Sequence, residues 1–141
     1  MDLSQAEAKC QTVEDWRPYT DEVREELLAR IERYGYLVVV PKEDELFIDI
    51  DTEEQHEEFQ NRLMRFCIEY PNTRIVSDTP SKSGLPHRHI IVSIGTPFES
   101  DFERVALQSC LGSDPMRELL SFVRVWNDVL KPIVFFEKEA N

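Results

Sequence analysis

The sequence predicts an α+β fold, a mostly antiparallel sheet with helices on one face. Three observations predict it. Segments with apolar residues at helical spacing alternate with short runs rich in β-branched residues. The strand runs come in sequence-adjacent pairs, which favours hairpins over parallel crossovers. Helices of similar length separate those pairs, so the order is helix, two strands, helix, two strands, two helices, strand.

Residues 20–34 place Val23, Leu27, Leu28 and Ile31 at helical spacing, and Gly35 ends that helix. Tyr36 to Val40 reads as a strand, Pro41 to Asp44 as a turn, and Glu45 to Asp51 as a second strand forming a hairpin with the first. Thr52 followed by Gln55 is a capping box, and the helix it opens carries Phe59, Leu63, Phe66 and Cys67 on one face until Pro71 and Asn72. Residues 73–79 and 87–94 read as strands around the turn PSKSGLP. Ser100 and Glu103 form another capping box for a helix to Cys110, which Gly112 interrupts. Asp114 before Pro115 is an N-cap with proline at the first helical position. The helix that follows is expected to use Leu119, Leu120, Phe122, Val123 and Trp126, and residues 132–138 close the chain as a strand. The polar residues 1–18 read as an N-terminal arm, and 19–141 as a single domain.

With 141 residues, 41% apolar and 31% charged, the composition is that of an ordinary globular domain. No apolar run approaches the roughly 20 residues that span a bilayer. The start of the chain lacks a basic segment followed by an apolar one. Cys10, Cys67 and Cys110 are far apart and odd in number, which suggests buried thiols in a reducing cytoplasm. The net charge of −12 opposes broad electrostatic binding of nucleic acid or anionic membrane. It leaves room for a local nucleotide site built on a metal ion, because such sites need carboxylates.

Three stretches carry chemistry. In LFIDID, alternation puts Phe47, Asp49 and Asp51 on one strand face and Leu46, Ile48 and Ile50 on the other. Adjacent carboxylates repel unless a cation sits between them, and Mg²⁺ or Mn²⁺ is the usual partner. The plain alternative is a solvated strand edge, although aspartate is depleted in strands. In the second stretch, Arg74, Lys82 and Arg88 face a single acid, Asp78, a basic hairpin within an acidic chain. Its Ser81-Lys82-Ser83-Gly84 turn offers amides, hydroxyls and an ammonium suited to phosphate. His87 and His89 share one face of the next strand. In the third stretch, Asp114 has a sufficient role as a helix cap.

The order Asp-x-Asp, then Ser-Lys-Ser-Gly leading into a histidine strand, then a later aspartate, resembles the archaeo-eukaryotic primase superfamily, the primase-polymerases. Ile48-Asp49-Ile50-Asp51 matches the first motif of that family, Ser81 to Gly84 with His87 or His89 the second, and Asp114 the third. The resemblance spans roughly Tyr36 to Lys138 and is strongest to small stand-alone phage or plasmid forms. It implies an RRM-like core, two divalent ions and nucleotidyl transfer from nucleoside triphosphates. Asp49, Asp51 and Asp114 would then hold metal, with His89 beside them at the catalytic centre. Ser81, Lys82, Ser83, Gly84 and His87 would bind phosphates. The chain lacks the zinc-binding elements common in primases. A partner protein, or the basic hairpin itself, would supply contact with nucleic acid.

Two other readings compete. An acidic domain of this size also suits a catalytically inactive accessory protein that binds a replication partner or mimics DNA. His87-Arg88-His89 is similar to the His-x-His metal site of rolling-circle nickases. Those enzymes place a nucleophilic tyrosine after the histidines, whereas Tyr19, Tyr34, Tyr36 and Tyr70 all precede them.

Overall fold

Residues 21–81 and 83–138 are described by the structure, a computed structural model. They form α1 (Asp21–Arg33), β1 (Tyr36–Val39), β2 (Glu45–Ile50), α2 (Glu53–Glu69), β3 (Arg74–Pro80), β4 (Arg88–Ser93), α3 (Asp101–Cys110), α4 (Pro115–Trp126) and β5 (Phe135–Lys138). The class is α+β and all strand pairings are antiparallel. The expected arm over residues 1–18 lies outside the described residues.

Among the described residues there are two sheets rather than one: β1 pairs with β5, and β2, β4 and β3 form a three-stranded sheet with β4 in the middle. The expected hairpin between Tyr36–Val40 and Glu45–Asp51 does not form. Its physical cause is on the outer edge of β2, which is already occupied. The chain gathers into two compact units, residues 41–119 and a second unit that includes 21–40 and 120–138.

In the 41–119 unit, the alternation in β2 and β4 turns Leu46, Ile48, Ile50, Ile90 and Val92 into one apolar face. Phe59 of α2, Ile94 and Leu111 complete a buried cluster, with Leu63, Phe66 and Tyr70 packed against it. Burying each such side chain contributes roughly 1.5–3 kcal/mol. The Thr52–Gln55 capping box forms as expected and starts α2 directly after β2. The Ser100 cap forms too, but the Glu103 carboxylate accepts from Glu99 N–H rather than from the cap.

The outer edge of β2 carries side chains instead of a strand. Arg104 Nε donates to Glu45 O at 2.9 Å, and Arg117 Nη1 donates to Phe47 O at 3.2 Å. The N–H groups of Phe47, Asp49 and Asp51 donate to Gln108 Oε1, Ser113 Oγ and Gln55 Oε1 at 2.8, 2.9 and 2.7 Å. Asp114 N–H donates to Asp49 O at 2.8 Å. An edge amide or carbonyl buried without a partner is costly, so these bonds make a strandless edge tenable. At the opposite edge of the sheet, β3 is largely exposed and its register shifts between Ile75 and Ser77, a bulge at Val76.

In the other unit, β1 and β5 pair with Val38 opposite Phe136. Leu27 and Ile31 of α1 pack with Tyr36 and Phe136. The buried Arg24 guanidinium donates from Nε and Nη2 to Lys131 O at 3.0 and 2.8 Å, and Asp21 accepts from Leu130 N–H at 2.7 Å. These bonds fix the start of α1 against the 128–131 loop.

Two expectations from side-chain patterning are corrected. Along α4, Leu120 is buried, but Leu119, Phe122 and Trp126 are exposed while Glu118 and Ser121 are buried. The apolar residues do share one arc of this helix, but much of that arc is exposed, and the opposite arc, with Glu118 and Ser121, is the buried one. Of the thiols expected to be buried, Cys67 is half-buried and Cys110 exposed, while Cys10 lies outside the described residues.

Candidate metal centre

The strand alternation of β2 presents Asp49 and Asp51 on one face, and the side-chain edge brings Asp114 to them. Asp114 is the N-cap of α4, with its Oδ2 accepting from Arg117 N–H at 3.1 Å. Its own N–H is bonded to Asp49 O, so the cap is seated on the strand. Carboxylate oxygens of Asp49, Asp51 and Asp114 all lie within 4.8 Å of one another and could hold a metal ion. Asp114 thus both caps α4 and belongs to the acidic cluster.

Two histidines adjoin the carboxylates. β4 register sets His89 opposite Asp49, with Nε2 3.7 Å from Asp49 Oδ1. His87, just before β4, has Nδ1 3.1 Å from Asp51 Oδ1. His89 is buried, whereas His87 and Asp51 are each 41% exposed at the side chain. The next strand sets Thr79 opposite His89. The same sheet face therefore carries carboxylates on β2, imidazoles on and beside β4 and a hydroxyl on β3.

Like charges at this spacing repel. At 4.8 Å the cost is roughly 1 to 3.5 kcal/mol per pair, between the dielectric of water and an effective 20. Burial and the negative charges of Asp51 and Asp49 raise the Asp114 carboxyl above its ordinary range, and the bond from Arg117 N–H only partly opposes them. A proton or a cation relieves the cluster, and a hydrogen bond between Asp114 and Asp51 is the proton form of that relief. Three hard oxygen donors match the preference of hard divalent cations.

The turn before β4 differs from what its sequence suggests. Gly84 N–H donates to Ser81 O at 2.8 Å, His87 N–H to Gly84 O at 3.0 Å, and Ser83 N–H to Ser81 Oγ at 3.2 Å. Those amides close the turn upon itself and are not offered to a phosphate. Gly84, with φ of +75°, supplies the left-handed backbone that the closure needs. Ser83 is exposed, and Lys82 lies outside the described residues. Arg88 points away from the carboxylates and pairs with Asp78 at 3.3 Å, so part of the basic character of the hairpin is neutralised.

The residues that seat Asp49 and Asp114 were invisible to motif reading. Gln108, Ser113 and Glu118 are all buried. The one available signal is Glu118, the single acid of a helix rich in apolar residues. No family model, curated protein or solved structure matches this chain.

Proposed function

We propose that the 41–119 unit is a metal-dependent nucleotidyltransferase-like centre of the primase-polymerase type, acting on nucleoside triphosphates or nucleic acid ends in replication. The observation that carries this reading is the convergence of Asp49, Asp51 and Asp114 within 4.8 Å, beside His87 and His89. These residues come from three separate segments of chain, in the order that the primase-polymerase resemblance leads one to expect.

Asp49, Asp51 and Asp114 would hold Mg²⁺ or Mn²⁺. When bound, the ion would neutralise a phosphate chain and favour ionisation of an attacking hydroxyl. The remaining roles belong to the protein. Asp49 is fixed by its backbone, through Ser113 and Asp114, so its carboxylate is pre-positioned. His87 bonds Asp51 through Nδ1, which restrains the ring beside the acidic face. His89, buried against Asp49, would contact a triphosphate oxygen from the middle strand. Ser81 and Ser83 would offer hydroxyl groups, with Lys82 the cation of that turn.

One observation favours the accessory-protein reading instead. The turn amides are used internally and Arg88 is paired with Asp78, so fewer groups face a phosphate than the sequence implies. Calorimetric titration of a nucleoside triphosphate, with and without Mn²⁺, separates the two. Mn²⁺-dependent binding in the micromolar range, about −8 kcal/mol, is expected. It should vanish in Asp49→Ala with Asp51→Ala while circular dichroism stays unchanged. No heat in either condition, or equal binding by the double variant, rejects the enzyme reading.

A further inference from the structure

We infer that Glu118 is a positioning residue that sets the spacing of Asp49 and Asp114 without touching the metal or its substrate. The inference rests on the metal-centre reading for its purpose, but its geometry stands independently. Glu118 is 3% exposed and lies on α4, four residues after the cap Asp114. Its Oε2 accepts from Gln108 Nε2 at 2.8 Å, and the neighbouring Ser113 hydroxyl favours the ionised form of its carboxyl. Its Oε1 faces Arg117 Nη1 at 3.5 Å.

Each of those three partners also bonds β2. Gln108 Oε1 accepts Phe47 N–H, Ser113 Oγ accepts Asp49 N–H, and Arg117 donates to Phe47 O. The carboxylate therefore selects orientations. Only with Gln108 Nε2 turned toward an acceptor does Oε1 face Phe47 N–H. Only with the Ser113 proton directed at Glu118 is the Ser113 oxygen turned to Asp49. A buried acid with this many donors around it is not required for core packing. An apolar side chain of similar volume would fill the space, but would release both amides of β2.

The test is Glu118→Gln in the full chain, with two readouts. The first is amide hydrogen exchange of the metal-free protein. Phe47 and Asp49 should lose at least about tenfold in protection. Ile48 and Ile50, whose N–H groups face β4, should keep parent values and so report an intact sheet. The second is Mn²⁺ affinity from the paramagnetic resonance of the free ion, expected to fall about 10- to 100-fold. Such a loss with Ile48 and Ile50 still protected is not a general effect of destabilisation.

Parent-like protection at Phe47 and Asp49 overturns the positioning role. So does unchanged Mn²⁺ affinity in a variant that has lost protection. If the parent itself binds no Mn²⁺, the metal reading fails, and the exchange data alone decide whether Glu118 orders the edge. Should Glu118→Gln not fold, Ser113→Ala decides: Asp49 alone must lose protection and Mn²⁺ affinity must fall, or the inference is wrong.

Discussion

Asp114 N–H donates to Asp49 O at 2.8 Å, joining the N-terminus of α4 to the strand that carries the other two carboxylates. One backbone bond thus makes a helix cap into the third member of an acidic cluster. The cap is held by backbone bonds of the fold, so the repulsion within the cluster is a standing cost.

That cost gives a prediction for Asp114→Asn. Asparagine caps helices as well as aspartate does, so α4 should start normally. Removing one of three facing charges should raise stability at neutral pH by about 1 kcal/mol, or ~3 °C in melting temperature. Mn²⁺ binding should weaken at the same time. Melting the parent and variant in a metal chelator checks the first half, and a drop in melting temperature would contradict it.

The pH dependence has a definite sign. Burial raises the Glu118 carboxyl above 4.5, and burial with two like charges raises Asp114 above 3.8. Between the ordinary and raised values the folded protein binds more protons than the unfolded chain. Stability from these groups is therefore full at low pH and is lost as pH rises through the folded values. Urea titrations from about pH 4 to about 7 should show the parent declining relative to Asp114→Asn with Glu118→Gln. Parallel curves would refute the assignment. By the same protonation, divalent-ion affinity should rise with pH, with protons released on binding.

Arg104 ties the start of β2 to α3. Its guanidinium reaches Glu45 O at 2.9 Å and Lys42 O at 3.0 Å, pairs with Asp101, and lies 5.0 Å from the Phe98 ring centre. Arg104→Ala strands the buried Glu45 carbonyl, removes the donor to the half-buried Lys42 carbonyl, and should cost about 3 kcal/mol by urea denaturation. Arg104→Lys should recover only part, since an ammonium cannot span the same fork. A cost below about 1 kcal/mol for alanine would show that water replaces these bonds.

Gly95 follows β4 with φ of +81°, and a Cβ there would lie 2.9 Å from Asn72 Cβ. Gly95→Ala combines left-handed strain with a clash and should destabilise by roughly 1–3 kcal/mol. Adding Asn72→Gly should recover the steric part but not the backbone part. Full recovery in the double variant would place the whole effect in the clash.

Local signals in the sequence were readable where the physics is local. Thr52 with Gln55 and Asp114 with Pro115 place helix starts correctly, because a cap bonds only three residues along the chain. The alternation through Asp49 and Asp51 likewise places both on one face with His87 and His89 near them. Strand partnership was not readable. β1 pairs with β5, and the edge of β2 is filled by side chains, among them Gln108, 61 residues beyond the amide of Phe47. A single long-range acceptor leaves no period in a sequence. The exposed Phe122 and Trp126 were misread for a related reason, since the inward side of α4 is set by polar bonds through Arg117 and Glu118.

The two borders of the three-stranded sheet differ in kind, and this limits how copies of the molecule could assemble. The β2 border is plugged by arginine, glutamine and serine side chains, so no foreign strand can zip onto it. Of the two borders of this sheet, only that of β3 has backbone left to share. Edge-to-edge joining through this sheet would therefore consume its single open border and stop at a closed pair. Growth into a fibre through this sheet alone would need two open borders, and it has one.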